Sequence, residues 1–476
     1  MPKLRTWQLT AGSAVAGLAL AAGAVAVAGP WDSGQRKAER ELAAAQDRTG
    51  GAHHATPRPD AGEPDPAPSA PGVLGALGAA APDGGGDRPE ESRRLRETLG
   101  PLLDSAALGG LRTASVMDAT TGKQLYGRGE RTAMTPASTV KIATAVAALS
   151  ALGPDHRIAT TVLASPDTKG IVLKGGGDPT LDKDDLRALA ADTARALRDR
   201  GAGPVSLSYD TTLYSGPEIH PIGAGNENLA RVTPLMVDEG RTDGTRSGIG
   251  DRTPDPAGDA ARAFAAELRA LGVEQAGDPV ARKAPADAAP VAKALSAPLS
   301  ALVERTLTHS DNDIAEALAR QTALAAGEEA SFAGAGKAVH DELAGLELPA
   351  PGLLDGAHFA DGSGLDRNDR VSAELLTALL THAADPAHPE LRPVLTGLPV
   401  AGFSGTLQTR YAGDARGAGL VRAKTGTLSH LNTLAGTVVT EDGRLLAFAF
   451  LAGDTSAPGP AQKALDTLAS TLAATP

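Results

Sequence analysis

The chain has 476 residues and no cysteine, and 57 acidic against 45 basic side chains give a formal net charge of −12. Disulfides, thiolate metal sites, iron–sulfur clusters and cysteine nucleophiles are excluded at once, and an acidic balance without a basic footprint excludes nucleic acid as a partner. The length admits more than one domain and a sizeable core.

Lys3 and Arg5 precede an uncharged run rich in alanine and glycine, from Leu9 to Gly29. Small-residue sites at Ala24 to Ala26 and Ala26 to Ala28 suit a signal peptide, and the length equally suits a membrane anchor with its basic end inside. Residues 1–30 are assigned to that leader, so the rest is expected outside the cytoplasm, with residues 9–29 as a membrane tether if they are retained. Residues 31–92 are rich in proline, glycine and acid and read as a disordered linker. His53 and His54 have no further ligand at usable spacing and are assigned to that linker rather than to a metal site; no metal or other cofactor is expected.

Residues 93–164 form the first folded part: a helix in "RRLRETLGPLLDSAAL", a hairpin around Thr120 to Lys123, then "TPASTVKIATAVAALSALGP", Thr135 to Pro154. At 100° per residue, Ile142, Val146, Leu149 and Leu152 share an apolar arc with Ser138 and Lys141. As a plain helix, Ser138 would be the N-cap and Lys141 a snorkelling surface residue. A cation in the first turn opposes the helix dipole, however, and a desolvated lysine touching a serine three residues away is a candidate base.

Residues 165–297 alternate helical and strand-like runs broken by "KGGGDPT" and proline-rich turns, and read as an inserted module of mixed α and β. Residues 298–476 form the closing part: two helices interrupted at Ser310, a third near Ala333 to Ala344, three strand-like runs and an amphipathic terminal helix. The predicted fold class is therefore α/β (α+β), an antiparallel sheet flanked by helices with a mixed insertion. In "HSDND", Asn312 or Asp313 caps the next helix with Glu316 closing a capping box, and the alternative adds that the loop projects Ser310 and Asn312. In "RAKTGTL", Gly426 marks either an edge bulge or close approach of another backbone such as a ligand strand. Lys424 and Thr425 would then offer an ammonium and a hydroxyl to a carboxylate, and Thr427 a backbone N–H.

Ser-x-x-Lys, Ser-x-Asn and Lys-Thr-Gly in this order form the motif set of penicillin-binding proteins and serine β-lactamases. With "VLKGGGDPTL", "DGSGLDR" and "LTGLPVAGFSGTL", roughly residues 95 to 470 resemble the D-Ala-D-Ala carboxypeptidase/endopeptidase family, the low-molecular-mass class C penicillin-binding proteins. The resemblance implies a β-lactamase/transpeptidase-like domain and a serine DD-peptidase that acts on peptidoglycan peptides through an acyl-enzyme and binds β-lactams covalently. It implies Ser138 as nucleophile, Lys141 as base, Ser310 as proton relay and Asn312 as partner of Lys141 or of the substrate amide. Lys424 and Thr425 would hold the terminal carboxylate, with Gly426 between them and Thr427, whose N–H joins that of Ser138 in the oxyanion hole. Arg367 is expected to meet the peptide side chain, although Asp366 departs from the small polar residue expected in "DGSGLDR". A serine β-lactamase and a non-hydrolytic sensor are the alternatives, and no oligomeric state is implied.

Overall fold

The computed structural model describes residues 88–411 and 416–475, so the leader, most of the linker and the His53–His54 pair lie outside the described residues. The first helix, α1, spans Arg88–Leu103 and so begins inside the stretch expected to be linker. Leu95, Leu99 and Leu103, four apart and therefore on one face, are buried, while Glu91 at its half-buried start pairs with Arg444 at 2.6 Å. The charged first turn has linker composition, and the apolar repeat that makes the helix worth burying starts only at Leu95.

The main sheet is antiparallel, with strands β1 (Leu111–Asp118), β2 (Gln124–Arg128), β8 (Val421–Leu428), β9 (Leu431–Val439) and β10 (Leu445–Gly453) in the order β2-β1-β10-β9-β8. Strand β10 shows the period of two that places it at the centre. Leu446, Phe448, Phe450 and Ala452 face α1 and the terminal helix α10 (Pro458–Ala473), whereas Ala447, Ala449 and Leu451 face the helix cluster. That cluster contains α2 (Lys141–Leu152), α5 (Leu299–His309), α6 (Asn312–Ala326), α7 (Phe332–Ala344) and α8 (Ala373–Ala384). Every residue of α2 from Lys141 to Leu149 is buried.

A second sheet holds β3 (Ala159–Ala164), β4 (Gly170–Lys174), β5 (Ser206–Asp210), β6 (Val280–Ala281) and β7 (Ala289–Leu295) in the order β6-β5-β4-β3-β7. Strands β3 and β4, and β3 and β7, run antiparallel, while β4, β5 and β6 are parallel. Helices α3 (Lys183–Asp199) and α4 (Pro256–Ala270) close a separate core with Val162, Leu173, Leu189 and Phe264. Strand β3 lies ahead of the expected boundary at residue 165. Among the described residues no helix is long and apolar enough to cross a membrane.

Candidate active site

Ser138 is not the first residue of the α-helix: it sits in a 3₁₀ turn, Ala137–Val140, and α2 begins at Lys141. Neither element start has a side-chain cap, so the serine hydroxyl is free for other contacts. Ala137 takes φ 48° to begin this turn, a left-handed conformation that costs a non-glycine residue roughly 1–2 kcal/mol.

Lys141 has no exposed surface. Its Nζ lies 3.0 Å from Ser138 Oγ, 2.7 Å from Asn312 Oδ1 and 2.5 Å from the Ser363 carbonyl oxygen. Burial pushes its pKa down to about 8, against the opposing fields of Asp361, Glu316, Asp311 and Asp369. The lysine therefore faces the core, as the apolar arc implied, and does not snorkel.

Helix α5 ends at Ser310, whose φ of 59° is left-handed, and the chain turns directly into α6. The cap of α6 is Asp311, which accepts the Ile314 N–H at 3.0 Å, in place of the Asn312 or Asp313 cap expected from the sequence. Asn312 is thereby released toward Lys141. Asp313 turns inward to Arg252 at 2.9 Å and to the Ala230 N–H at 2.8 Å. Glu316 closes no capping box either: it is buried and accepts the N–H groups of Gly362 and Ser363 at 3.1 and 3.0 Å.

On β8, Lys424 is also fully buried, and its Nζ donates to Ser310 Oγ at 2.8 Å and to the Thr425 carbonyl at 2.7 Å. Burial, followed by the charge of Lys141, pushes its pKa well below the usual lysine range. Thr425 is half-buried, its hydroxyl 2.9 Å from that of Thr406, and Thr427 is exposed. Gly426 stands in regular register opposite Thr433, so it marks no bulge. A Cβ there would collide with the Thr433 hydroxyl and come within 2.9 Å of the Pro136 carbonyl and 3.1 Å of Ala137 Cβ. The protein's own turn before Ser138 makes a close approach at this glycine.

Arg367 is exposed and donates to the Ser429 carbonyl at 3.0 Å, beside the β8–β9 turn. Its own carbonyl accepts the Thr135 hydroxyl at 3.1 Å, three residues before Ser138. The structure thus forms two hydrogen-bonded groups, Ser138–Lys141–Asn312 and Ser310–Lys424, the two lysines close enough for the charge of one to act on the other, with Thr425, Gly426, Thr427 and Arg367 on the adjoining strand and loop. Sequence reasoning missed the Ser363 carbonyl and the carboxylates of Glu316 and Asp361. The signal lay in "DGSGLDR", where Gly364 takes φ +82° and packs against the Ala137 carbonyl.

Sheet, buried helix and site together define a β-lactamase/transpeptidase-like fold. A carboxypeptidase of Mycolicibacterium smegmatis, DacB, is 36% identical over 86% of this chain and 88% of its own. A carboxypeptidase of Mycobacterium tuberculosis is 37% identical over 75% of this chain and 79% of its own. The crystal structure of penicillin-binding protein 4 from Haemophilus influenzae superposes with a TM-score of 0.65 at 22% identity, covering 80% of this chain and 99% of that one, a likeness of fold. The D-Ala-D-Ala carboxypeptidase 3 (S13) family matches residues 95–247 and 241–472, and this chain belongs to it.

Proposed function

We propose that this D-Ala-D-Ala carboxypeptidase works through Ser138 as nucleophile and Lys141 as base, on the stem peptides of peptidoglycan. The carrying observation is a lysine with no exposed surface, its Nζ 3.0 Å from the serine hydroxyl. A pKa near 8 leaves a neutral fraction at physiological pH, so Nζ takes the hydroxyl proton as Oγ bonds to the carbonyl carbon between the two D-alanines. The backbone N–H groups of Ser138 and Thr427 serve as the oxyanion hole, each donor worth about 3 kcal/mol. Ser310, polarised by Lys424, passes a proton to the leaving amine, so the C–N bond breaks with release of D-alanine. Water then hydrolyses the acyl-enzyme.

Thr425 and Thr427 offer hydroxyls to the terminal carboxylate, and Lys424 adds its charge from beneath them. Arg367 at the rim meets the peptide side chain. The same pocket accepts the β-lactam ring as an acyl donor and cleaves cross-links when the leaving group is a second stem. Acting on cell-wall peptides, the folded part would lie outside the cytoplasm, and residues 9–29 would serve as its leader or tether. Labelled penicillin should attach to wild type at Ser138 and not to Ser138→Ala; equal labelling of both would end this scheme. Rapid turnover of the β-lactam instead of a lasting adduct would favour a β-lactamase.

A further inference from the structure

Two carbonyl oxygens besides Ser138 Oγ hold Lys141, and both are fixed by the segment between β5 and α4. Asn312 presents Oδ1 to the lysine because its Nδ2 donates to the Asn228 carbonyl at 3.0 Å. Ser363 presents its carbonyl because its N–H is taken by Glu316 at 3.0 Å and its hydroxyl by Asp361 at 3.0 Å. Asp361 also gathers the backbone N–H groups of Gly364, Leu365 and Asp366 at 2.5, 2.9 and 2.8 Å, so the whole loop closes around one carboxylate.

Asp369, whose pKa burial and Asp361 push up to about 10, is a protonated neighbour of that carboxylate, and a further donor comes from far away in sequence. His220 Nε2 lies 2.7 Å from Asp361 Oδ2, and neither side chain has any exposed surface. His220 Nδ1 accepts the Ile222 N–H at 3.1 Å, so the proton of the neutral ring is on Nε2 and points at Asp361. His220, Glu316 and Asp361 are close enough to hold a metal ion. In the neutral ring with Nδ1 engaged as an acceptor, however, Nε2 carries its proton toward Asp361 and has no lone pair to give a metal. Phe332 packs edge-on to the ring at 5.3 Å and fixes its plane.

We propose that His220 is a positioning residue for Lys141: by donating to Asp361 it locks the loop that aims the Ser363 carbonyl at the lysine ammonium. The inference rests on Lys141 being the base. A shift of the carbonyl lets Nζ move away from Ser138 Oγ, and displacements of that size change rates by up to about a hundredfold.

Two substitutions separate the bonds of the ring. His220→Asn keeps an acceptor where Nδ1 stood, for Ile222, but is too short to reach Asp361; His220→Gln carries an N–H to the position of Nε2 and loses the bond to Ile222. The acylation rate constant with labelled penicillin is measured for both, together with kcat and KM on a D-Ala-D-Ala peptide and the thermal midpoint. His220→Asn should lose about ten- to a hundredfold in kcat and acylation with KM little changed, and His220→Gln should restore most of that loss. Equal rates in the two variants, or losses that follow only the thermal midpoint, overturn the proposal. Ser363→Ala removes another side-chain donor to Asp361 and must lower the rate in the same way if the histidine variants do not fold; a full rate in folded Ser363→Ala overturns it. Ser138→Ala is labelled alongside. If it takes the label, the reading of the whole site fails; if it does not and His220→Asn acylates like wild type, only the positioning role fails.

Discussion

The protonation of Lys141 sets the clearest numerical expectation. Its folded pKa is held at about 8 chiefly by burial, below the ordinary lysine value of about 10.4. A base must be neutral, so the second-order acylation rate should rise as pH climbs through that value. The neutral fraction is roughly one-tenth at pH 7, about half at pH 8 and about nine-tenths at pH 9, so the rate should rise about tenfold between pH 7 and 9. Below pH 7 it should fall by about tenfold per unit. Lys424 is also pushed well below the usual lysine range, by burial and then by Lys141. If its charge assists the reaction, a falling limb should therefore begin below 10.5. The assay is stopped-flow acylation by a fluorescent penicillin across pH 5.5 to 10, which reports groups of the free enzyme. Lys141→Arg is the control, because a guanidinium keeps its proton throughout this range and should abolish acylation. A rate flat between pH 6 and 9, or a rising limb near the ordinary lysine value, would refute the assignment.

Two other substitutions probe the surroundings. Gly426→Ala should drive β8 away from Pro136 and Ala137, because the new Cβ would meet the Thr433 hydroxyl and the Pro136 carbonyl. A loss of about 1–3 kcal/mol in denaturant unfolding is expected, with acylation lost beyond what the stability change explains. Glu316→Gln keeps an acceptor for the Gly362 and Ser363 N–H groups but removes a charge that raises the pKa of Lys141. Its rising limb should move below 8 with the plateau preserved, and an upward move or no move in the same pH profile would contradict the electrostatic account.

The three motifs proposed to be catalytic were legible because each is a local spacing: a serine and a lysine three positions apart, a serine and an asparagine two apart where one helix gives way to the next, and a run in one strand. The misplaced charge at Lys141 even told of its burial, since a cation at a helix start has no favourable local reason to be there. Glu316 misled because Asp or Asn followed three residues later by Glu is also the signature of a capping box. Whether that carboxylate bonds its own helix start or a distant loop is decided by packing, and α6 lies in the middle of the helix cluster. Gly426 was legible as a close approach but not as to what approaches. His220 was invisible because its partner lies 141 positions away and the bond joins two segments with no shared pattern. The start of α1 was hidden by charge, its first turn reading as linker up to residue 92.

The order of strands in the main sheet has a consequence for how the enzyme comes into being. Strand β1 pairs along its length with β10, Leu111 opposite Gly453, and Arg444 reaches back to Glu91 and Asp118, 353 and 326 positions earlier. Contacts so distant in sequence are slow to form and cannot begin until β10 has been made. The second sheet is closed early by β3 against β7, Ala159 opposite Leu295, around a core of its own. A chain emerging from amino to carboxyl end would therefore build its insertion first and its catalytic sheet last, β8 included. The serine and its lysine are made early, yet they have no Lys-Thr-Gly strand beside them until β8 has been made. Hydrolytic power is withheld, by topology alone, until β8 to β10 have joined the sheet.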